Sequence, residues 1–349
     1  MPSRRLADHT TLRLGGTAES VSAVHDEKTL IDAVRGTDAA GEPLLLIAGG
    51  SNLVITDDDV PGSVLLVRTG GVEHDGDLIT VAAGEPWDPF VARCAEEGRP
   101  GIACLSGIPG SVGATPIQNV GAYGQEVGEV VEELRVLDRR TGAVSSMRGS
   151  DAQFGYRRSV LKREPGRWVV LDVTFRLPRD PHGAPVRYGE LARLLGTEPG
   201  RRVPAADLRA AVIDLRRAKG MVLDPRDSDT VSAGSFFTNP ILDETEFFKL
   251  ERRVEATLGP GAGLPGYPTG SHGRMKASAA WLIDHSGFEK GYGRPDGIAI
   301  SSRHVLALTN RGSGTTAELL ALAHEIAGGV EQRWGVALTP EPVLVGCSW

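Results

Sequence analysis

The sequence Gly107-Ile-Pro-Gly-Ser-Val-Gly-Ala-Thr-Pro-Ile-Gln-Asn-Val-Gly-Ala-Tyr-Gly124 is the most informative stretch of this chain. Its glycines permit positive φ and allow a ligand to approach main-chain N–H groups closely. Several N–H groups that point into one concavity form an anion-binding nest. The apolar spacers Ile108, Val112 and Ile117 indicate that the loop packs against a core. A loop this long is uncommon unless it is functional, so the segment predicts a loop whose backbone faces a cofactor.

Composition limits the classes of function. A chain of 349 residues predicts two domains, and its net charge of −7 without a basic block argues against a general nucleic-acid or membrane-surface role. The three cysteines, Cys94, Cys104 and Cys347, form no CxxC pair, which favours reduced thiols over a disulfide framework or a zinc site. The histidines do not cluster at ligand spacing, so no metal site is expected. With no apolar signal core or membrane-length apolar run, we expect a cytoplasmic protein with no obligate protein partner.

Hydrophobic periodicity predicts helices and strands in both halves of the chain. The predicted helices cover 29–35, 88–97, 190–195, 205–219, 243–258, 276–285 and 316–334, and the predicted strands cover 44–48, 64–67, 78–82, 133–137, 143–147, 168–177, 305–308 and 343–345. Such a mixture indicates an α+β fold. Repeated prolines mark a connection at 181–204, which separates a region 1–180 from a C-terminal domain 205–349. The last strand is a candidate to return to the first region.

A second glycine turn, Gly49-Gly-Ser-Asn52, follows a buried strand and suits main-chain contact with a phosphate. The chain has neither a GxGxxG nor a GxxxxGK[ST] sequence, which removes the main support for a Rossmann or P-loop fold. Pro109 stands where the serine-hydrolase elbow requires glycine. The turn therefore points to phosphate binding of another kind.

Three polar residues stand in conspicuous settings. Ser235 follows a glycine and precedes two phenylalanines, Glu341 lies between two prolines, and Arg157 follows a tyrosine. Each of them alone is more commonly a structural or surface residue than a catalytic one. Only their combination with the glycine-rich segments carries weight.

Taken together, these segments resemble the UDP-N-acetylenolpyruvoylglucosamine reductase family. The matching motifs occur in the family's order: Ala48-Gly-Gly-Ser-Asn, Gly107-Ile-Pro-Gly-Ser-Val-Gly, Pro116-Ile-Gln-Asn-Val-Gly-Ala-Tyr-Gly, Phe154-Gly-Tyr-Arg, Ala233-Gly-Ser-Phe-Phe, Ala280-Trp-Leu-Ile-Asp and Pro340-Glu-Pro. The resemblance implies a vanillyl-alcohol-oxidase type FAD-binding region of two α+β subdomains, followed by an α+β substrate-binding domain. It also implies noncovalent FAD, NADPH as co-substrate and a UDP-sugar enolpyruvyl ether as substrate. The implied reaction reduces UDP-N-acetylglucosamine enolpyruvate to UDP-N-acetylmuramate for peptidoglycan synthesis.

The resemblance also assigns roles to residues. Arg157 would bind the substrate carboxylate, Ser235 would give a proton to carbon, and Glu341 would hold Arg157 or donate to the carboxylate. The residues that would bind the cofactor are Gly49, Gly50, Ser51, Asn52, Gly107, Pro109, Gly110, Ser111, Gly113, Ala114, Gln118, Asn119, Gly121, Tyr123 and Gly124. Those that would bind the substrate are Tyr156, Tyr188, Lys219, Asn239, Tyr267 and Lys276.

Two positions depart from the family pattern, and two alternatives stay open. Thr238 stands where many members have lysine, and His285 where many have glutamine. One alternative is an FAD-dependent carbohydrate or alcohol oxidase of the same fold, although no histidine or cysteine that could tether a flavin lies in 48–53 or 107–124. The other is a nonenzymatic nucleotide-sugar binder. The sequence leaves open the oligomeric state, with a monomer slightly favoured, and the preference between NADPH and NADH.

Overall fold

The described residues, 2–269 and 273–349, form eight α-helices and twenty β-strands in this computed structural model. The helices are α1 (Glu27–Ala40), α2 (Trp87–Glu96), α3 (Val160–Arg163), α4 (Gly189–Leu194), α5 (Ala205–Ala218), α6 (Glu244–Leu258), α7 (Ala279–Asp284) and α8 (Thr316–Trp334). The strands are β1 (Ala18–Val24), β2 (Leu44–Ile47), β3 (Leu53–Ile55), β4 (Val60–Val67), β5 (Val72–Asp75), β6 (Leu78–Ala82), β7 (Gly121–Ala122), β8 (Gln125–Glu126), β9 (Val131–Asp138), β10 (Ala143–Arg148), β11 (Trp168–Arg176), β12 (Ala184–Pro185), β13 (Arg202–Val203), β14 (Ser232–Ser235), β15 (Ile241–Asp243), β16 (Gly266–Pro268), β17 (Arg274–Ala277), β18 (Ile298–Ile300), β19 (Ala307–Asn310) and β20 (Val343–Val345).

The chain divides into two units. The first consists of the residues up to Arg4, Ala18–Gly50 and Val60–Val222, and the second of Arg5–Thr17, Ser51–Asp59 and Leu223–Trp349. The first unit contains two larger sheets, one parallel in the order β1-β4-β2 and one antiparallel in the order β10-β9-β11-β6-β5. This pair of sheets with covering helices is an α+β arrangement.

Helix α1 illustrates how the sequence sets the elements of the first unit. Asp26 caps its start by accepting a hydrogen bond from Thr29 N at 2.8 Å, and Gly41 ends it in the left-handed conformation, φ 68°. Leu30 and Val34, one turn apart, are buried on the same helix face. The core that they join also contains the ring cluster of Trp87, Phe90 and Phe175, so α2 is anchored against β11.

The second unit is built around its own core. Its sheets have the orders β14-β19-β18 and β15-β17-β16, and β20 pairs in parallel with β3. Helix α8 begins with a capping box between Thr315 and Glu318 and ends at Gly335 in the left-handed conformation. Its buried face, which includes Leu319 and Ile326, packs into the same apolar cluster as Phe236.

The division between the units lies after Val222, and not within 181–204 as the prolines suggest. Helix α5 belongs to the first unit because its buried residues Leu208 and Val212 join a cluster with Cys104 and Leu191. The final strand, β20, pairs with β3, a segment within the region 1–180 of the sequence prediction, although both strands belong to the second unit.

The helix predicted over 276–285 is shorter in the structure. Residues up to Ala277 form strand β17, and α7 starts only at Ala279. Ser278 separates the two elements by capping α7, because its hydroxyl accepts a hydrogen bond from Trp281 N at 3.3 Å.

Candidate active site

Main-chain N–H groups of the glycine-rich loop, residues 107–124, donate hydrogen bonds to other parts of the first unit. Gly107 N donates to Asp88 Oδ1 at 2.5 Å, Val112 N to Glu85 O at 2.9 Å, and Gly113 N to Ala83 O at 2.9 Å. These three amides hold the loop against the segment between β6 and α2. The ligand-binding nest expected from the sequence must therefore use other groups of the loop.

Two glycine turns meet in the first unit. A Cβ added to Gly49 would lie 2.5 Å from Gly110 Cα, a distance that carbon atoms do not tolerate. Beside this contact, the hydroxyl of Ser111 is buried and has no hydrogen-bond partner among the described residues. Buried polar atoms in native proteins nearly always have a partner. A bound ligand with polar atoms would supply one, so the residues present here fit a cofactor such as FAD.

Asn119 connects the loop to the turn that carries Arg157. The side chain is buried, and its Nδ2 donates to Glu126 Oε2 at 2.7 Å and to Gly155 O at 3.0 Å. Its Oδ1 accepts from Gly128 N at 2.8 Å. The amide hydrogens of this predicted cofactor residue are thus both used within the protein. In the structure Asn119 positions backbone.

Arg157 lies in a tight hairpin turn in which Gly155 and Arg158 exchange both main-chain hydrogen bonds at 3.0 Å. Its backbone has φ 52°, in the left-handed region, where residues other than glycine are uncommon. The guanidinium donates to Gly121 O at 3.2 Å and lies 5.3 Å from the ring centroid of Tyr156. The turn therefore brings together three of the predicted residues, Tyr156, Arg157 and Gly121.

A further predicted cluster lies in the same unit. The rings of Tyr123 and Tyr188 contact edge to face, with centroids 5.4 Å apart, and Lys219 Nζ lies 5.9 Å from the Tyr123 centroid. Lys219 also forms an ion pair with Glu190 at 2.6 Å. Burial raises the pKa of Tyr123, so its hydroxyl stays a hydrogen-bond donor at neutral pH.

The segment that carries Ser235 is hydrogen-bonded to the segment that carries Glu341, both in the second unit. The strand register shifts between Ser232 and Ser235, and Gly234 in this bulge has φ 75° with open space around it. Directly after the bulge, Phe236 N donates to Leu306 O and Glu341 N donates to Phe236 O, both at 2.7 Å. Ser235 is half-buried, and the backbone of the next residue, Phe236, is hydrogen-bonded on both sides.

Asn52, the last residue of the turn Gly49–Asn52, is hydrogen-bonded to the segment around Glu341 in the second unit. Asn52 Nδ2 donates to Glu341 O at 3.4 Å, and Val343 N donates to Asn52 O at 2.9 Å. The chain passes from the first unit to the second within this turn, between Gly50 and Ser51. Asn52 therefore anchors the backbone on both sides of Pro342.

The other three predicted substrate residues share one small sheet of the second unit. Tyr267 and Lys276 are direct partners across β16 and β17, and Asn239 Oδ1 accepts from Ala279 N at 3.0 Å, at the start of α7. The two residues that depart from the family pattern, Thr238 and His285, lie close to Asn239 and α7 in sequence. Thr238 N donates to Thr339 O at 3.0 Å, and the His285 ring stacks on Trp281 at 3.9 Å.

One ion pair beside the glycine-rich loop, between Asp88 and Arg209, is not predicted from the sequence. The two terminal nitrogens of Arg209, Nη1 and Nη2, donate to the Asp88 carboxylate at 2.6 and 2.9 Å. Burial acts to raise the pKa of Asp88, but the hydrogen bonds from Arg209 and from Gly107 N outweigh it, and the pKa is lowered. An acidic residue in the first turn of a helix, such as Asp88 in α2, is common for local reasons. It therefore gives no sign of a partner as distant in sequence as Arg209.

Among the described residues, no group of three or more potential metal ligands is found. Within 2–269 and 273–349, no helix combines the length and the apolar character needed to cross a membrane.

Comparisons with known proteins identify the family of this chain. A family model described as "UDP-N-acetylenolpyruvoylglucosamine reductase, C-terminal domain" matches residues 224–345, and one described as "FAD binding domain" matches 18–148. The chain is 53% identical to UDP-N-acetylenolpyruvoylglucosamine reductase of Saccharopolyspora erythraea, over 98% of this chain and 95% of the relative. It is 51% identical to the enzyme of that name from Thermobifida fusca, over 98% and 97%.

A solved structure is similar over the same extent. The crystal structure of UDP-N-acetylenolpyruvylglucosamine reductase from Thermus caldophilus has a TM-score of 0.63 and 25% identity, covering 98% of this chain and 97% of that one. The vanillyl-alcohol-oxidase type α+β fold expected from the sequence is thereby confirmed. The chain belongs to the UDP-N-acetylenolpyruvoylglucosamine reductase family.

Proposed function

We propose that this chain reduces UDP-N-acetylglucosamine enolpyruvate to UDP-N-acetylmuramate, with NADPH as reductant and noncovalent FAD as cofactor, in peptidoglycan precursor synthesis. Full-length relatives that carry the reductase name support this activity. The single structural observation that supports it is the backbone hydrogen bond between Glu341 and Phe236, the residue after Ser235. FAD, when bound, supplies hydride transfer to the enolpyruvyl group.

Ser235 is the proposed proton donor. Reduction of the enolpyruvyl double bond leaves negative charge on the carbon next to the substrate carboxylate, and this carbon needs a proton. The Ser235 hydroxyl has a proton to give, and its residue follows directly on the shift in strand register. General-acid help of this kind typically contributes about 10²–10⁴ in rate.

Arg157 is the proposed carboxylate ligand. A guanidinium binds a carboxylate through two parallel N–H groups and stabilises the charge that grows on it during the reaction. The tight turn and the hydrogen bond to Gly121 O restrict where this group can point. Glu341, whose backbone is fixed by Phe236 and Asn52, is the third residue that the motif match assigns to the reaction.

We assign binding of the UDP-sugar to the six tyrosine, lysine and asparagine residues that the motif match gives. Tyr156, Tyr188 and Lys219 belong to the first unit, and Asn239, Tyr267 and Lys276 to the second. Lysine ammonium groups suit the two phosphates of the nucleotide. We also place the reaction in the cytoplasm, since none of the cysteines Cys94, Cys104 and Cys347 is in a disulfide, as expected in a reducing compartment.

The test separates the two half-reactions by anaerobic rapid mixing. Ser235→Ala is expected to slow oxidation of the reduced enzyme by the enolpyruvyl substrate at least about 100-fold, and to leave its reduction by NADPH unchanged. Ser286→Ala serves as the control, because the Ser286 hydroxyl donates to the Leu282 carbonyl at 2.7 Å and has no proposed role in the reaction. Equal slowing of both half-reactions by Ser235→Ala would refute the role of proton donor. Wild-type protein that fails to form UDP-N-acetylmuramate would refute the activity.

A further inference from the structure

The second unit contains a cleft of about 260 Å³ whose walls are rich in arginine. Among the described residues that line it, all belong to the second unit and none is acidic. Its four arginines are Arg5, Arg13, Arg226 and Arg311. Because the whole chain has a net charge of −7, this cleft is a local reversal of charge. None of the residues assigned above to the reaction, the cofactor or the sugar nucleotide lines it.

Arg311 is held in the wall of the cleft by the buried Asp229. Its Nη2 donates to Asp229 Oδ1 at 3.4 Å and to Ile300 O at 3.2 Å. Burial acts to raise the pKa of Asp229, but hydrogen bonds from Ser302 and nearby guanidinium charges outweigh it, and the pKa is lowered. The Nε of Arg311 is enclosed by protein, whereas its Nη1 is not enclosed and makes no hydrogen bond within the described part of the chain. Nη1 is therefore the donor that a ligand can reach.

Arg13 and Ser228 add two further unused donors. The Arg13 side chain is exposed, and its guanidinium makes no hydrogen bond or ion pair with any described residue. The exposed Ser228 hydroxyl likewise makes no hydrogen bond to the described residues. The backbone beneath Arg13 is fixed, because the buried Asn310 donates through Nδ2 to Leu12 O at 3.1 Å and to Arg13 O at 3.4 Å. A fixed frame that carries unused donors suits a ligand that brings acceptors.

The carboxylates near the cleft balance its guanidinium groups only in part. Arg226 is paired with Asp224 at 3.3 Å, and Arg5 lies 4.0 Å from Asp8. Arg13 has no carboxylate partner among the described residues. An anion in the cleft would therefore gain Coulomb energy that the protein's own acids leave unused.

The size and the residue type of the cleft define the class of anion. Guanidinium groups bind phosphate oxygens through two parallel N–H groups, which a lysine ammonium cannot do. A volume of about 260 Å³ equals that of about nine water molecules, which leaves room for more than one phosphate group. A long polyanion such as a nucleic acid would meet the repulsion of the net negative protein outside the cleft.

We propose that this cleft binds the diphosphate group of a small anion, which is either free diphosphate or the diphosphate of a nucleotide. Arg13 and Arg311 contribute N–H groups, the Ser228 hydroxyl contributes a further donor, and Arg226 adds charge at the rim. The site goes beyond the proposed function, and its test needs no reductase activity.

The experiment is isothermal titration calorimetry of the FAD-loaded protein with sodium diphosphate, for wild type, R13Q, R226Q and R252Q. R13Q and R226Q are each expected to raise the dissociation constant at least about tenfold, because each removes a charge-assisted hydrogen bond. R252Q is the matched control and is expected to bind as wild type does. Arg252 is also an exposed arginine of the second unit without an ion pair among the described residues, but it does not line the cleft.

UDP as a second probe distinguishes the two sources of the diphosphate group. Displacement of diphosphate from the Arg13-dependent site by UDP would identify a nucleotide, and failure to displace it would identify the free anion. Binding that persists in R13Q and R226Q but is lost in K276Q would place the anion at the proposed nucleotide site and refute the proposal.

Four other results would also overturn it. Wild-type protein that binds no diphosphate would remove the site, and equal weakening in R252Q would show unspecific attraction to positive charge. Tighter binding of citrate than of diphosphate would show a carboxylate site. If R13Q does not fold, R226Q decides, and a dissociation constant equal to that of wild type would refute the proposal.

Discussion

Replacing Asn119 by alanine tests whether the glycine-rich loop and the turn at Arg157 act as one structure. The substitution removes three hydrogen bonds, to Glu126, Gly155 and Gly128. Gly128 N and Gly155 O are left without these partners, at about 1–3 kcal/mol each, while the half-exposed Glu126 can bind water instead. Asparagine also tolerates the left-handed conformation, φ 51° here, better than alanine does. We therefore expect a loss of about 4 kcal/mol in the free energy of unfolding.

The assay is urea unfolding of the apoprotein followed by circular dichroism, since bound FAD would mask part of the loss. Gln153→Ala is the matched control, because Gln153 also has φ 51° but is exposed and accepts one hydrogen bond, from Arg163. We expect this control to lose less than about 1 kcal/mol.

A kinetic measurement completes the test. If Asn119 positions the turn, Asn119→Ala is expected to slow the step with the enolpyruvyl substrate more than the step with NADPH, because Gly155 O is its link to Arg157. Equal loss of stability in Asn119→Ala and Gln153→Ala would show that the three hydrogen bonds do not hold the turn, and would refute this reasoning.

Two further predictions concern the glycine contact and acid stability. Gly49→Ala is expected to abolish FAD retention, measured by absorbance, because its Cβ would lie 2.5 Å from Gly110 Cα. The control Gly36→Ala, where a Cβ meets open space, is expected to keep FAD and to gain about 0.5–1 kcal/mol in the free energy of unfolding in urea. Equal FAD content in the two variants would contradict this prediction. The pKa of Asp88 is lowered in the folded state, so its ionic contribution is present above the unfolded pKa of about 4 and is lost as pH falls through the folded value. Asp88→Asn is therefore expected to be less stable than wild type at pH 7 and to lose less stability between pH 5 and 3 in urea titrations; parallel losses would contradict it.

The sequence predicted the long periodic elements well. The strand expected over 168–177 is Trp168–Arg176, and the helix expected over 316–334 is α8 with the same limits. Both present an apolar pattern long enough to dominate local preferences. Over 276–285 the apolar spacing predicts one helix. The structure has the end of β17 and the short helix α7 there, with only Ser278 between them.

The site was predictable as a set of motifs and not as a set of contacts. Asp88 and Arg209 are 121 residues apart, and the apolar periodicity of their helices does not predict that they pair. Such features arise from tertiary packing, which a single sequence does not encode locally.

The backbone itself shows where this packing is concentrated. Among the described residues, five other than glycine have positive φ, and four of them, Asn119, Tyr123, Gln153 and Arg157, lie between the loop and the end of the Arg157 turn. Each such conformation costs roughly 1 kcal/mol or more and persists only where surrounding contacts over-determine it. Asn119 supplies those contacts through its buried amide, and the exchanged hydrogen bonds of Gly155 close the turn. Glycine at position 157 would relieve this strain, but it would also remove the guanidinium to which the proposed function assigns the substrate carboxylate.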